Sequence, residues 1–266
     1  MEGFSDKRVV RNVARTCLTF LLMILMAALN RTNAYSEDGD SALGKKIYEE
    51  RCQICHGTNG DGKGLVGIIK KSEKSGRVLD VRPRDFTTGV FRFRSTPTGC
   101  LPSELDLMRL VDVGITKSFM PPHKDELSMD EKKAVVAYIK TFSERWKDEE
   151  PCDPIAVNKP GWVGSRTSVE KGLKIYKDMK CWECHGDDGK GKGPKSNEIK
   201  DDWGNAIPPF NFTTGALKRG TTPEDVYITF TAGLDGTGMP SYEDSLDEEN
   251  RWHLVSYTLK LMGAVK

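Results

Sequence analysis

Cys52-Gln53-Ile54-Cys55-His56 and Cys181-Trp182-Glu183-Cys184-His185 are two copies of one pentapeptide pattern, and their reading decides the fold. Two residues between the cysteines let one helical turn carry both sulfurs to one edge of a haem macrocycle. The next residue then turns its imidazole to the iron. A lone Cys-x-x-Cys-His also suits a redox thiol pair or half of a zinc site. Two copies with matching surroundings favour two covalently bound haem c groups instead. Cys52, Cys55, Cys181 and Cys184 are then the attachment thiols, and His56 and His185 are iron ligands.

Outward from these strings the chain repeats itself. Cys52 maps onto Cys181 at an offset of 129 residues, Phe86-Thr87-Thr88-Gly89 onto Phe212-Thr213-Thr214-Gly215 at 126, and Met120-Pro121 onto Met239-Pro240 at 119. Pro97 maps onto Pro223, which puts a seven-residue insertion in the first half near Thr98 to Glu104. The expected domains are 41–146 and 168–266, joined by a Pro- and Gly-containing linker, 147–167.

Each half is expected to be helical at its ends. Ser41 and Ser168 are candidate N-caps for helices that run into the haem strings. Ser128 and Ser245, each followed by acids, open the last helices. Gly44 and Gly172 have no propensity reason to lie inside helices, so close crossing by the last helix of each half is expected there. The stretches 58–83 and 186–209 read as Gly- and Lys-rich loops.

Lys7, Arg8, Arg11 and Arg15 precede an uncharged apolar run, Cys17 to Leu29. That run is shorter than the ~20 residues of a membrane span and suits a secretory signal, residues 1–34, cleaved after Ala34. The alternative is an uncleaved anchor, the one case in which the protein would meet the membrane. Cleavage removes five basic residues against Glu2 and Asp6, which turns the formal charge of +1 into −2. Bulk charge therefore gives no argument for nucleic acid.

Met120 and Met239 stand at matching places, each followed by Pro, and are the candidate second ligands. A thioether stabilises ferrous iron and raises the reduction potential. His123 is a rival ligand, but its counterpart is Tyr242, so a polar loop role is preferred. Arg92 and Arg94 alternate with Phe91 and Phe93 and are expected mainly in solvent, with haem propionates as the alternative partner. Of seven cysteines, four belong to the haem strings and Cys17 to the signal. Cys100 and Cys152 remain and are expected to pair in an oxidising compartment.

Both halves resemble class I c-type cytochrome domains: Cys-x-x-Cys-His-Gly, a Gly-rich loop, a loop Met-Pro and a final helix. The resemblance implies an all-α fold, two tandem domains each wrapped round one covalent haem with long irregular loops. It also implies that Pro194, and Leu65 in the first half, offer their carbonyls to the axial histidines. The implied function is electron transfer between redox protein partners in the periplasm, without a catalytic residue. The alternatives are a dihaem peroxidase-like enzyme, or a subunit of a periplasmic oxidoreductase or respiratory complex.

Overall fold

A computed structural model describes residues 37–72, 78–115 and 118–266. The expected signal, 1–34, lies outside the described residues. In chain order come α1 (Glu37–Ile47), a π-helical segment (Tyr48–Cys52) and α2 (Gln53–His56). Then follow a two-stranded antiparallel hairpin of β1 (Ile69–Ser72) and β2 (Val78–Val81), α3 (Glu104–Val113), α4 (Met129–Lys140) and α5 (Arg145–Asp148). The second half has α6 (Arg166–Asp178), α7 (Trp182–His185), a 3-10 turn (Phe212–Thr214), α8 (Pro223–Ala232) and α9 (Glu248–Leu261). Among the described residues no helix is long and apolar enough to cross a membrane.

Two cores form, one for each half. The first gathers Ile47, Tyr48, Phe86, Leu107, Val135 and Val136; the second gathers Tyr176, Phe212, Val226, Trp252, Leu254 and Val255. In each, the first helix crosses the last at a glycine. A Cβ on Gly44 would strike the Ala134 carbonyl of α4, and one on Gly172 the His253 carbonyl of α9. The crossing expected from the sequence is present in both halves.

Helix starts depart from the sequence reading in three places. α1 begins at Glu37, before Ser41. α6 is capped by Ser165, whose hydroxyl accepts from the Ser168 amide. Ser168 is buried, with its Oγ 2.9 Å from His253 Nδ1 and 2.7 Å from Ser256 Oγ. α9 is capped by Asp247, two residues beyond Ser245. At α4 the expected cap holds: Ser128 and Glu131 form a reciprocal capping box.

α3 and α8, unforeseen in the sequence, begin with matching boxes, Ser103 with Asp106 and Thr222 with Asp225. Pro223 is the first residue of α8, so its counterpart is Glu104 and not Pro97. The insertion accordingly lies between Arg94 and Ser103. It carries Cys100, which is bonded to Cys152 with Cα atoms 5.9 Å apart. The Ile155 amide, 2.8 Å from the Ser95 carbonyl, ties the linker to the same segment.

The insertion also latches the two halves together. Arg94, 1 % exposed, sends its guanidinium to Phe91 O, Pro97 O, Ala232 O and Asp235 Oδ1, at 2.8 to 3.2 Å. Thr98 Oγ1 and the Gly99 amide donate to the same Asp235 carboxylate. Arg94 is therefore an interdomain anchor and not the solvent-facing residue its alternation with phenylalanines suggested. A second contact joins equivalent positions: Arg109 pairs with Asp225 at 2.8 Å, and Arg219 lies 3.6 Å from Asp106 and 3.7 Å from Asp225. Asp106 and Asp225 are repeat partners at offset 119, so these ion pairs bring the capping positions of α3 and α8 to one contact between the halves.

Candidate haem sites

Each haem string is clamped between two anchors. Upstream, the buried Tyr48 hydroxyl donates to Gly57 O at 2.7 Å and Tyr176 to Gly186 O at 2.6 Å. Downstream, the glycine loop folds back by matched bonds. The amides of Gly62 and Gly64 reach the carbonyls of His56 and Cys55, and those of Gly191 and Gly193 reach His185 and Cys184, at 2.8 to 3.1 Å. Positive φ at Gly62 and Gly191, +73° and +70°, makes glycine the suitable residue for that turn.

The turn brings the Phe-Thr-Thr-Gly segment under the imidazole. Phe86 N donates to Gly60 O and Phe212 N to Gly189 O, and the two rings then stack on His56 and His185 at centroid distances of 4.4 and 4.5 Å. His56 Nδ1 lies 3.0 Å from Arg84 O, and His185 Nδ1 lies 3.1 Å from Phe210 O. These repeat partners, and not Leu65 and Pro194, supply the carbonyls. Gly64 and Gly193 fold onto the string before Leu65 and Pro194 are reached, and Leu65 is left 92 % exposed. An Nδ1–H given to a carbonyl fixes the tautomer that leaves Nε2 free for a metal. Burial pushes both imidazoles down from their ordinary range and so favours the neutral ligand form, against the opposing pull of the carbonyl bond.

The methionine loops share a frame as well. α3 and α8 end at Gly114 and Gly233, each packed against the loop backbone at Met120-Pro121 or Pro240-Ser241. The Ile115 amide then donates to Met120 O and the Leu234 amide to Met239 O. Ser118 Oγ and Thr237 Oγ1 accept from the two methionine amides at 3.1 Å. In the second half Cys181, His185 and Met239 line one cavity with Phe212, Phe230 and Leu254. His123 is buried, with Nδ1 3.2 Å from Glu126 Oε2. Tyr242, at the matching position, lines the same cavity as Met239 and brings its hydroxyl to 4.0 Å from Cys181 Sγ.

The donor set fits haem c better than the rival uses of a Cys-x-x-Cys pair. Burial pushes the Cys52 and Cys181 thiols up to about 11, the opposite of the lowered values that make a redox thiol reactive. Among the described residues no three His, Cys, Asp or Glu side chains gather to hold a metal ion, as a zinc site would need.

Known proteins agree in both halves. Residues 169–261 match the family described as cytochrome c, and residues 39–139 match cytochrome c oxidase, cbb3-type, subunit III. A chain of the reducing HAO-like protein complex of Kuenenia stuttgartiensis is 39 % identical. The alignment covers 84 % of this chain and 96 % of that one, with a TM-score of 0.76.

The chain belongs to the c-type cytochromes. It is a tandem-domain cytochrome with two covalently bound haem c groups. The cytochrome is also similar to the cbb3-type cytochrome c oxidase subunit CcoP of Azospirillum brasilense, 25 % identical over 223 residues. That match covers 84 % of this chain, which spans 62 % of the relative's length. Sequence reasoning missed Phe86 and Phe212 as the rings beneath the histidines, although their place in the repeated Phe-Thr-Thr-Gly string was a signal for them.

Proposed function

We propose that this cytochrome is exported and passes single electrons through two His/Met-ligated haems, His56 with Met120 and His185 with Met239. Cys52, Cys55, Cys181 and Cys184 hold the groups covalently. The domains are 41–146 and 168–266, with 147–167 as linker and 1–34 as the export signal. When bound, the haem iron supplies a one-electron couple, and a thioether ligand favours its ferrous state. The chain's part is to hold the imidazoles by Arg84 O and Phe210 O, to present the sulfurs from Pro-locked loops, and to exclude water with Phe86, Phe212 and Phe230. The observation that carries the reading is the shared cavity of Cys181, His185 and Met239, with His185 Nε2 left free by its Nδ1 bond.

Two relatives, one described as an oxidase subunit and one as part of a complex, support service within a larger redox assembly; the export signal read at residues 1–34 is what supports the periplasm. Substitution Met239→Ala tests the ligand set. The second haem should become accessible to carbon monoxide and lose its iron–sulfur absorption band while the first keeps it. A second haem that still refuses carbon monoxide would refute Met239 as its ligand.

A further inference from the structure

The turn that carries Met239 is held from outside its own half. Within that half the turn hangs on Leu234, whose amide donates to Met239 O at 3.0 Å. The Leu234 carbonyl accepts from the Thr237 amide at 3.1 Å and from Thr237 Oγ1 at 2.7 Å, and Thr237 Oγ1 in turn accepts from the Met239 amide. Where Leu234 sits therefore decides where the Met239 sulfur can reach.

The residues on either side of Leu234 are gripped by the first half. Arg94 Nη2 donates to Ala232 O at 2.9 Å and to Asp235 Oδ1 at 2.8 Å. Thr98 Oγ1 adds a second donor to Asp235 Oδ1, and the Gly99 amide reaches Oδ2 at 2.9 Å. Both carboxylate oxygens are thus taken by donors from the other half, and the bond to the guanidinium is of the strong, charge-assisted kind. The gripping segment is itself fixed: Arg145 donates to Gly99 O at 2.8 Å and to Gly89 O at 3.0 Å, and Cys100 is bonded to Cys152. Gly89 closes the turn of Phe86, the ring stacked on His56. A continuous set of bonds therefore runs from the ring beneath one axial histidine to the methionine turn of the other half.

The repeat makes this brace one-directional. The first half builds the same turn on Ile115, with Ser118 in the place of Thr237. In the second half, however, the place of Arg94 is taken by Gly220, which has no side chain to send back. In the first half the place of Asp235 is taken by the uncharged Thr116.

We propose that Asp235 is a positioning residue for the distal ligand of the second iron. The first half, through Arg94, Thr98 and Gly99, holds the Met239 turn and so keeps external ligands off that haem. The proposal rests on the haem reading above, with Met239 as the ligand. For another ligand to enter, Met239 must swing away, and its turn must then move against the bonds to Asp235.

Carbon monoxide titration of the ferrous holoprotein tests this in wild type, Asp235→Asn and Asp235→Glu. Proton NMR of the iron-bound methionine methyl groups tells the two haems apart, and Met239→Ala assigns the second signal. Asp235→Asn removes the charge that Arg94 binds. It should raise the affinity of the second haem for carbon monoxide about tenfold, equivalent to about 1.4 kcal/mol, while the Met120 signal of the first stays in place. Asp235→Glu keeps the charge and should return the affinity to within about threefold of wild type. Unchanged affinity in Asp235→Asn, an equal gain at both haems, or Asp235→Glu as open as Asp235→Asn overturns the proposal. Absence of the second methionine signal from wild type would instead refute Met239 as a ligand, a failure of the haem reading that is told apart from failure of the brace.

Discussion

Arg94→Ala should be the most destabilising single change at the domain interface. The guanidinium is fully buried and donates to three backbone carbonyls and the Asp235 carboxylate. Losing the charge-assisted bond costs about 1.5–3 kcal/mol, and orphaned buried acceptors add about 1–3 kcal/mol. Thr98 and Gly99 still satisfy Asp235 in part, which limits the total to the ~3–5 kcal/mol typical of a broken buried pair. Arg94→Lys keeps the charge but loses the fork, and should cost about half as much. In urea, with a slope of about 2 kcal/mol per molar, Arg94→Ala then moves the unfolding midpoint down by roughly 2 M. Because Ala232 and Asp235 belong to the second half, absorption bands of both haems should respond together. A midpoint change below about 0.5 M would refute the buried, interdomain role.

Three further outcomes follow from packing and covalent links. The Cys100–Cys152 bond closes a separation of 52 residues, for which loop-closure entropy gives about 4 kcal/mol. Reductant should lower urea stability by somewhat less, since Arg145 still holds Gly99 O and Ile155 still holds Ser95 O; two titratable thiols in the denatured, unreduced protein would disprove the bond. Gly172→Ala forces a Cβ into the His253 carbonyl and should cost about 1–3 kcal/mol. Gly161→Ala, with nothing within 4 Å of the added atom, should stay within about 0.5 kcal/mol by the same unfolding assay.

What the sequence disclosed was local or repeated. The haem strings, the Met-Pro loops, the Ser128 cap and the crossing glycines all depend on spacing within a few residues or on a matching copy. What it hid depends on contacts between distant segments. The carbonyl facing His56 comes from Arg84, 28 residues on, because the glycine loop returns the chain there. Arg94 reads as amphipathic edge until Ala232 and Asp235 from the other half cover it. α3 and α8 were concealed because Asp106 and Asp225 close their capping boxes where Glu or Gln is the expected sign.

The two tyrosine anchors have a consequence for how such a chain can change. Tyr48 precedes Cys52 by four residues and Tyr176 precedes Cys181 by five, yet both hydroxyls end on the glycine after the axial histidine. The first half takes up the difference by widening its helix into the π-helical segment. The second breaks the helix and places Lys180 at φ +56°, a conformation that costs a non-glycine residue about 1–2 kcal/mol. Because both ends of the segment are pinned, a gained or lost residue is absorbed between the pins as local backbone strain. Duplicated copies can therefore drift in length beside their most demanding motif without losing the cofactor.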